Sequence, residues 1–268
     1  MSSLTAPETA DADIDLLILA AMPEEAAAIR TLATGMRAVP HPLSGASVRA
    51  EVGTLRSAGA HARIALVTTG IGTAAAATVA SWALTTFEPR AVVSVGSCGG
   101  LADGIGVGTV IVGTEYAYSI ADATAFGYAP GQVPGAPVRF AGGSLGADEA
   151  AARAEAITEA ARAAGLAAQS GLMISGDAFV VAATAERMRA QFPGALSADM
   201  ETTALAHTAL LHSRPFFAVR AVSDLCSPRA DEEFHIGLDV AAEHSARALM
   251  AALPQLTGST VAPTVPQE

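Results

Sequence analysis

Asp15-Leu16-Leu17-Ile18-Leu19-Ala20-Ala21 runs straight into Met22-Pro23-Glu24-Glu25, and this junction sets the architecture. An aliphatic run with no polar residue at alternate positions predicts a strand buried on both faces, the mark of a central parallel strand. Proline at the first helical position and acids in the first turn predict a helix directly behind it. A doubly buried strand that hands over at once to a helix is the repeating unit of an α/β fold.

The same handover recurs along the chain. Short β runs are predicted at residues 46–51 and 53–58, and a strand at 64–68. Gly70-Ile71-Gly72 then turns that strand into an alanine-rich helix through Thr86. Residues 91–96 read as another buried strand, ending in Ser97-Cys98-Gly99-Gly100, and residues 108–118 are β-rich. A long polar loop with Gly and Pro fills residues 119–137; long loops inside compact domains tend to carry function. Helices are predicted at 147–164 and 183–192, with a strand at 171–175 leading into Gly176-Asp177-Ala178-Phe179. An extended segment at 194–200 enters a small, apolar helix through Ser197-Ala198-Asp199-Met200-Glu201-Thr202-Thr203-Ala204. A strand at 216–223 ends at Asp224, and residues 236–253 make the last helix. The expected fold is a single α/β domain over residues 15–254, with a central twisted, mostly parallel or mixed sheet and helices on both sides. Residues 1–14 read as a disordered lead and 255–268 as a loose tail.

Composition narrows the function. At 51% hydrophobic and 15% charged residues, the chain has ample material for a full core. The net charge of −11, with no basic run, argues against a nucleic-acid partner, whose phosphates need clustered Lys and Arg. The two cysteines, Cys98 and Cys226, give neither a metal-ligand spacing nor a disulfide framework, which fits a reducing cytoplasm. Residues 1–15 do not read as a signal peptide, and no apolar run reaches membrane-spanning length. The expectation is a cytoplasmic protein with no metal, no cofactor, no membrane and no nucleic acid.

In open α/β sheets the site lies at the carboxyl ends of the strands. Glu25, Ser97, Phe179, Glu201 and Asp224 stand at five such ends. Gly70-Ile71-Gly72-Thr73-Ala74-Ala75 mimics a dinucleotide fingerprint but follows the wrong βα unit, with no acid ending the next strand. It reads as a glycine turn that permits close packing, with a nearby small ligand as the alternative. Gly96-Ser97-Cys98-Gly99 does not match a nucleophile elbow. His207 and His212 lie on the apolar helix and read as structural, and His235 has no evident partner. The carboxylates carry a third reading. Cleaving an N-glycosidic bond passes through an oxocarbenium-like sugar. It needs an acid for the leaving base, a group to orient water and a grip on the ribose hydroxyls. Glu25, Glu201 and Asp224 fit that demand, Phe179 can stack on a purine, and Met200 can pack on the sugar. For Asp199 a structural cap or pair is expected. Spacing alone leaves these readings open.

The loop from Asp122 to Gly135 resembles that of the 5′-methylthioadenosine/S-adenosylhomocysteine nucleosidases. So do A-M-P-E-E at Ala21, G-S-C-G-G-L at Gly96, S-G-D-A-F at Ser175, A-D-M-E-T-T-A at Ala198 and R-A-V-S-D at Arg220. The matches run in order over nearly the whole chain. The resemblance implies hydrolysis of 5′-methylthioadenosine and S-adenosylhomocysteine, extending to 5′-deoxyadenosine, to adenine and a 5-substituted ribose. It assigns Glu25 to the attacking water with help from Arg220, and Asp224, with a raised pKa, to protonating adenine N7. Glu201 would bridge the 2′- and 3′-hydroxyls over Met200. Phe179 would stack on adenine and the Val180 backbone would read its edge. Ser97, Cys98 and Gly99 would line sugar and base, and Ser223 would support Asp224. Met22, Phe234 and Pro134 would wall the 5′ pocket. Phe126 and Tyr128 would reach a neighbouring subunit's site, implying a homodimer.

Departures bear on the 5′ group more than on the reaction. Asp199 stands where the family has Glu, Cys98 replaces a smaller residue, and Thr73 stands where lysine is common. Pro23 replaces an acid, Ala123 a larger residue, and Ser119 with Ile120 a polar pair. An aminodeoxyfutalosine or futalosine hydrolase is the nearest alternative, and a purine nucleoside phosphorylase of the same fold another.

Overall fold

The computed structural model describes residues 13–44, 47–227 and 230–258, with the side chains of 231–236 left undescribed. In chain order the elements are β1 (Leu16–Ala20), α1 (Pro23–Leu32), β2 (Thr34–Ala38), β3 (Arg49–Ser57), β4 (Ala60–Thr68), α2 (Thr73–Phe87), β5 (Ala91–Gly100) and β6 (Val110–Tyr118). A 3-10 turn at Thr124–Phe126 interrupts the long loop. There follow α3 (Ala147–Ala163), β7 (Ala168–Ser175), α4 (Ala182–Gln191), β8 (Ala195–Asp199), α5 (Thr202–Leu211), β9 (Phe216–Asp224), α6 (Ala230–Ala251) and α7 (Leu253–Thr257).

The β1 run behaves as its sequence dictates. Leu16, Ile18 and Ala20 enter one core layer with Ala26 and Ile29 of α1 and Leu249 of α6. Leu17 and Leu19 enter the opposite layer with Val79, Ala83 and Phe87 of α2. Each fully buried Leu or Ile here contributes about 1.5–3 kcal/mol of transfer free energy. β1 pairs in parallel with β4 and β5, so helices α1, α3 and α6 cover one side while α2 and α5 cover the other.

The described strands form one nine-stranded sheet in the order β2-β3-β4-β1-β5-β8-β7-β6-β9, with β9 returning to β5. The sheet is mixed: β2–β3, β3–β4, β5–β8 and β6–β9 pair antiparallel and the other pairings are parallel. The return of β9 closes β5, β8, β7, β6 and β9 into a ring. That closure brings the far ends of β8 and β9 beside β5, and it places the site.

The structure corrects several boundaries. The β runs expected at 46–51 and 53–58 are one strand, β3, and Ala46 lies outside the described residues. Strand β2 was not expected. Ile14, read as part of the lead, is buried. Residues 255–257, read as the start of the tail, belong to α7, whose Leu256 is buried in the core.

Candidate active site

Glu25 is 1% exposed, and its carboxylate is held from two sides. As the third residue of α1 it reaches back to that helix's own entrance, where Oε2 accepts the Ala21 and Met22 amides at 2.9 and 3.0 Å. The return bond to the residue preceding the helix is half of a capping box, in the turn where the helix dipole favours an acid. From β5, Oε1 accepts the amide and the hydroxyl of Ser97 at 2.7 and 2.9 Å. Gly96 makes this approach possible: its φ is +129°, and a Cβ there would sit 2.3 Å from Glu25 Oε1.

Glu201 stands at the entrance to α5 and is 3% exposed. Its Oε1 accepts the Gly72 amide at 3.0 Å, and its Oε2 lies 3.3 Å from Arg220 Nη2. The same Arg220 nitrogen is 3.7 Å from Glu25 Oε1, so one guanidinium stands between the two acids. Arg220 is fixed by its Nε donating to the Ser97 carbonyl at 2.8 Å and Nη1 to Ser94 Oγ at 3.1 Å. Burial works against its charge, but Asp199, Glu25 and Glu201 outweigh that and raise its pKa. Burial raises Glu201 to about 7, with Asp199 and Glu25 adding to the shift and Arg220 and the Gly72 amide opposing it. Asp199 is a structural cap as expected: its Oδ1 accepts the Glu201 and Thr202 amides and the Ser175 hydroxyl at 2.8–2.9 Å.

Asp224 ends β9 and is 3% exposed. Its Oδ1 accepts the Cys226 amide at 3.0 Å and its Oδ2 the Ser223 hydroxyl at 3.0 Å. Cys226, which donates that amide, holds a left-handed φ of 51°.

These groups share one cavity of about 190 Å³ at the carboxyl ends of β1, β5, β7, β8 and β9. Met22 and Glu25 line it from α1, Ser97, Cys98 and Gly99 from β5, and Phe179 and Val180 from the loop after β7. Met200 and Glu201 line it after β8, and Arg220, Ser223 and Asp224 from β9. Arg220 is the only basic residue among the described lining. Burial pushes the Cys98 thiol far up, so it stays protonated and unfit as a nucleophile. Among the described residues no group of three or more His, Cys, Asp or Glu could hold a metal ion. A wider groove between α1 and β3 contains none of the predicted residues. Buried acids around a mostly apolar hollow, with one Arg between two of them, suit proton transfer and hydroxyl binding better than anion capture.

A family model for the phosphorylase superfamily matches residues 15–254. A 5′-methylthioadenosine/S-adenosylhomocysteine nucleosidase of Staphylococcus aureus is 32% identical over 240 residues, which is 89% of this chain and 99% of its own. One from Actinobacillus succinogenes is 38% identical over 72% of this chain and 81% of its own. The chain belongs to this nucleosidase family. The Neisseria meningitidis nucleosidase, solved with methylthio-immucillin-A, matches with a TM-score of 0.79 at 36% identity, covering 89% of this chain and 98% of that one. A futalosine hydrolase of Helicobacter pylori, at 22% identity and a TM-score of 0.78, shares the fold.

Against the nucleosidase pattern, most of the predicted residues converge on the cavity. Three do not. Phe126, Tyr128 and Pro134 sit in the loop outside the lining, Phe126 being 84% exposed. Phe234 lies among the side chains outside the described residues, as does His235. His207 and His212 are structural, bonded to the Tyr118 hydroxyl and Ser81 Oγ at 3.1 and 3.0 Å. Sequence reading missed Ile71 and Cys226, both in the lining, and the amide of Gly72 that holds Glu201. The paired glycines around Ile71 were the available signal; nothing local marked Cys226.

No helix among the described residues is long and apolar enough to cross a membrane.

Proposed function

We propose that this chain hydrolyses the N-glycosidic bond of 5′-methylthioadenosine and S-adenosylhomocysteine, releasing adenine and the 5-substituted ribose. One observation carries the reading: Glu25, Glu201 and Asp224, from three distant parts of the sequence, meet at one cavity with Phe179 at its rim. Family membership fits the same reaction.

In this reading Phe179 stacks on adenine and the Val180 backbone reads its edge. Asp224, steadied by Ser223 and the Cys226 amide, gives its proton to N7, so the base leaves neutral. Glu201 accepts the 2′- and 3′-hydroxyls above Met200, gripping the sugar as positive charge develops on it. Glu25 orients the attacking water and takes its proton, with the Arg220 guanidinium steadying the charge between the two glutamates. Ser97, Cys98 and Gly99 border sugar and base, and Met22 bounds the 5′ group. Phe126 and Tyr128 complete the site of a second copy, making the working form a homodimer. The cytoplasm is the proposed compartment.

The charge pattern favours water over phosphate as the acceptor. A phosphate dianion needs several donors, and the one arginine in the lining among the described residues already bonds Ser97, Ser94 and Glu201. Assay of 5′-methylthioadenosine with and without phosphate tests this: hydrolysis predicts equal rates and free 5-methylthioribose. A phosphate-dependent rate yielding a sugar 1-phosphate overturns it.

A further inference from the structure

Two segments that the sheet order keeps apart meet at the rim of the cavity. The turn before α2 follows β4 and the loop before α4 follows β7, strands separated by β1, β5 and β8. Asp177 joins them: its Oδ1 accepts the Thr73 amide at 2.6 Å and its Oδ2 accepts the Thr73 hydroxyl. Thr73 is the first residue of α2, so a carboxylate from a remote loop caps that helix, where free amides and the dipole favour an anion. The approach depends on Gly72, whose φ is +101° and where a Cβ would lie 2.9 Å from Asp177 Oδ1.

Each end of this bond is one or two residues from a group of the site. On the α2 side, the Gly72 amide donates to Glu201 Oε1. On the α4 side, Phe179 stands at the cavity rim two residues after Asp177. Thr73 and Asp177 themselves do not line the cavity. The base of the same loop is seated too: a Cβ on Gly176 would lie 2.4 Å from Ser119 Oγ, at the start of the long loop.

We propose that Thr73 and Asp177 form a clasp across the mouth of the site. They are positioning residues that hold the Phe179 loop against the base and the Gly72 amide against Glu201. The clasp orders both walls before the nucleoside arrives, so it lowers the ordering cost of binding rather than the chemical barrier. This inference rests on the nucleosidase reading.

The test measures KM and kcat for 5′-methylthioadenosine, adenine affinity by calorimetry, and thermal stability. The variants are Asp177→Ala, Asp177→Asn, and Asp177→Ala combined with Phe179→Ala. Asp177→Ala is expected to raise KM and weaken adenine binding by about tenfold while kcat changes less than about threefold, as loss of uniform binding requires. Asp177→Asn, which keeps an acceptor for the Thr73 amide, is expected to restore part of the loss. In a Phe179→Ala background the Asp177→Ala effect on adenine affinity is expected to shrink, because the wall that meets the base is gone while the Glu201 wall meets only the sugar. Unchanged KM and adenine affinity in Asp177→Ala overturn the clasp and leave the hydrolase intact. An equal effect on adenine affinity with and without Phe179, or loss only in proportion to a lowered Tm, overturns it as well. A wild type that releases no adenine overturns the nucleosidase reading and the clasp with it.

Discussion

The amide and the hydroxyl of Ser97 both donate to a single oxygen of Glu25, Oε1, at 2.7 and 2.9 Å. With the Ala21 and Met22 amides on the other oxygen, both oxygens of this carboxylate accept from two donors each among the described residues. A glutamine there would turn one acceptor into a donor facing donors. Glu25→Gln is therefore expected to lower kcat on the order of 10²–10⁴-fold, measured as adenine release. A loss below about tenfold removes Glu25 from the proton-accepting role.

Gly96 gives a second prediction, because no side chain fits between β5 and Glu25. Gly96→Ala places a methyl 2.3 Å from Glu25 Oε1 at a φ of +129°. Strain alone is about 1–3 kcal/mol, and the collision must move Glu25 away from Ser97. Gly104→Ala is the matched comparison, since its φ of +78° is also left-handed but nothing lies within 4 Å. Both variants are expected to lose thermal stability, and only Gly96→Ala to lose kcat. Equal kcat in the two would contradict the packing of Glu25 on Gly96.

Asp224 and Glu201 separate by what they touch. Asp224→Asn is expected to bind adenosyl ligands normally yet turn over on the order of 10²–10⁴-fold more slowly, the share ascribed to a general acid. Glu201→Gln is expected to hurt ribosides more than their 2′-deoxy counterparts, because the lost contact is to the hydroxyls. Steady-state kinetics on both substrate types checks this, and equal losses on both would sink the assignment of Glu201 to the diol.

Ligand affinity should depend on pH through Glu201. Its folded pKa is raised to about 7 by burial, then by Asp199 and Glu25. A ribose diol donates hydrogen bonds and so binds the deprotonated carboxylate. Affinity for an uncleavable adenosine C-nucleoside is therefore expected to rise as pH climbs through about 7 and to level off above it. Glu201→Gln should flatten the profile. A wild-type profile that is flat from pH 6 to about 8, or that falls, contradicts the shift.

What could be read from the sequence was whatever local pattern determines. The aliphatic run of β1 and the proline of α1 fixed the β–α handover, and Asp199 capped α5 as its type and place suggested. Strand β2 escaped because Thr34-Gly35-Met36-Arg37-Ala38 is a largely exposed edge with no apolar alternation; only pairing with β3 makes it a strand. The pairing of Arg220 with Glu201 as well as Glu25 was equally hidden. It follows from β9 returning to β5 and closing the ring, a long-range register that no window of sequence contains. The carboxylates themselves were legible because acids at the ends of apolar strands need a partner or a purpose.

The central claim is that buried acids from remote segments use water to part adenine from its sugar. Its most direct measurement is the product of 5′-methylthioadenosine turnover in phosphate-free buffer enriched in ¹⁸O water. Adenine release without phosphate, with one ¹⁸O at C1 of 5-methylthioribose reduced to its alditol at once to prevent exchange, slowed on the order of 10²–10⁴-fold in Asp224→Asn, is the predicted result. No adenine release, or release only when phosphate is supplied, would contradict it.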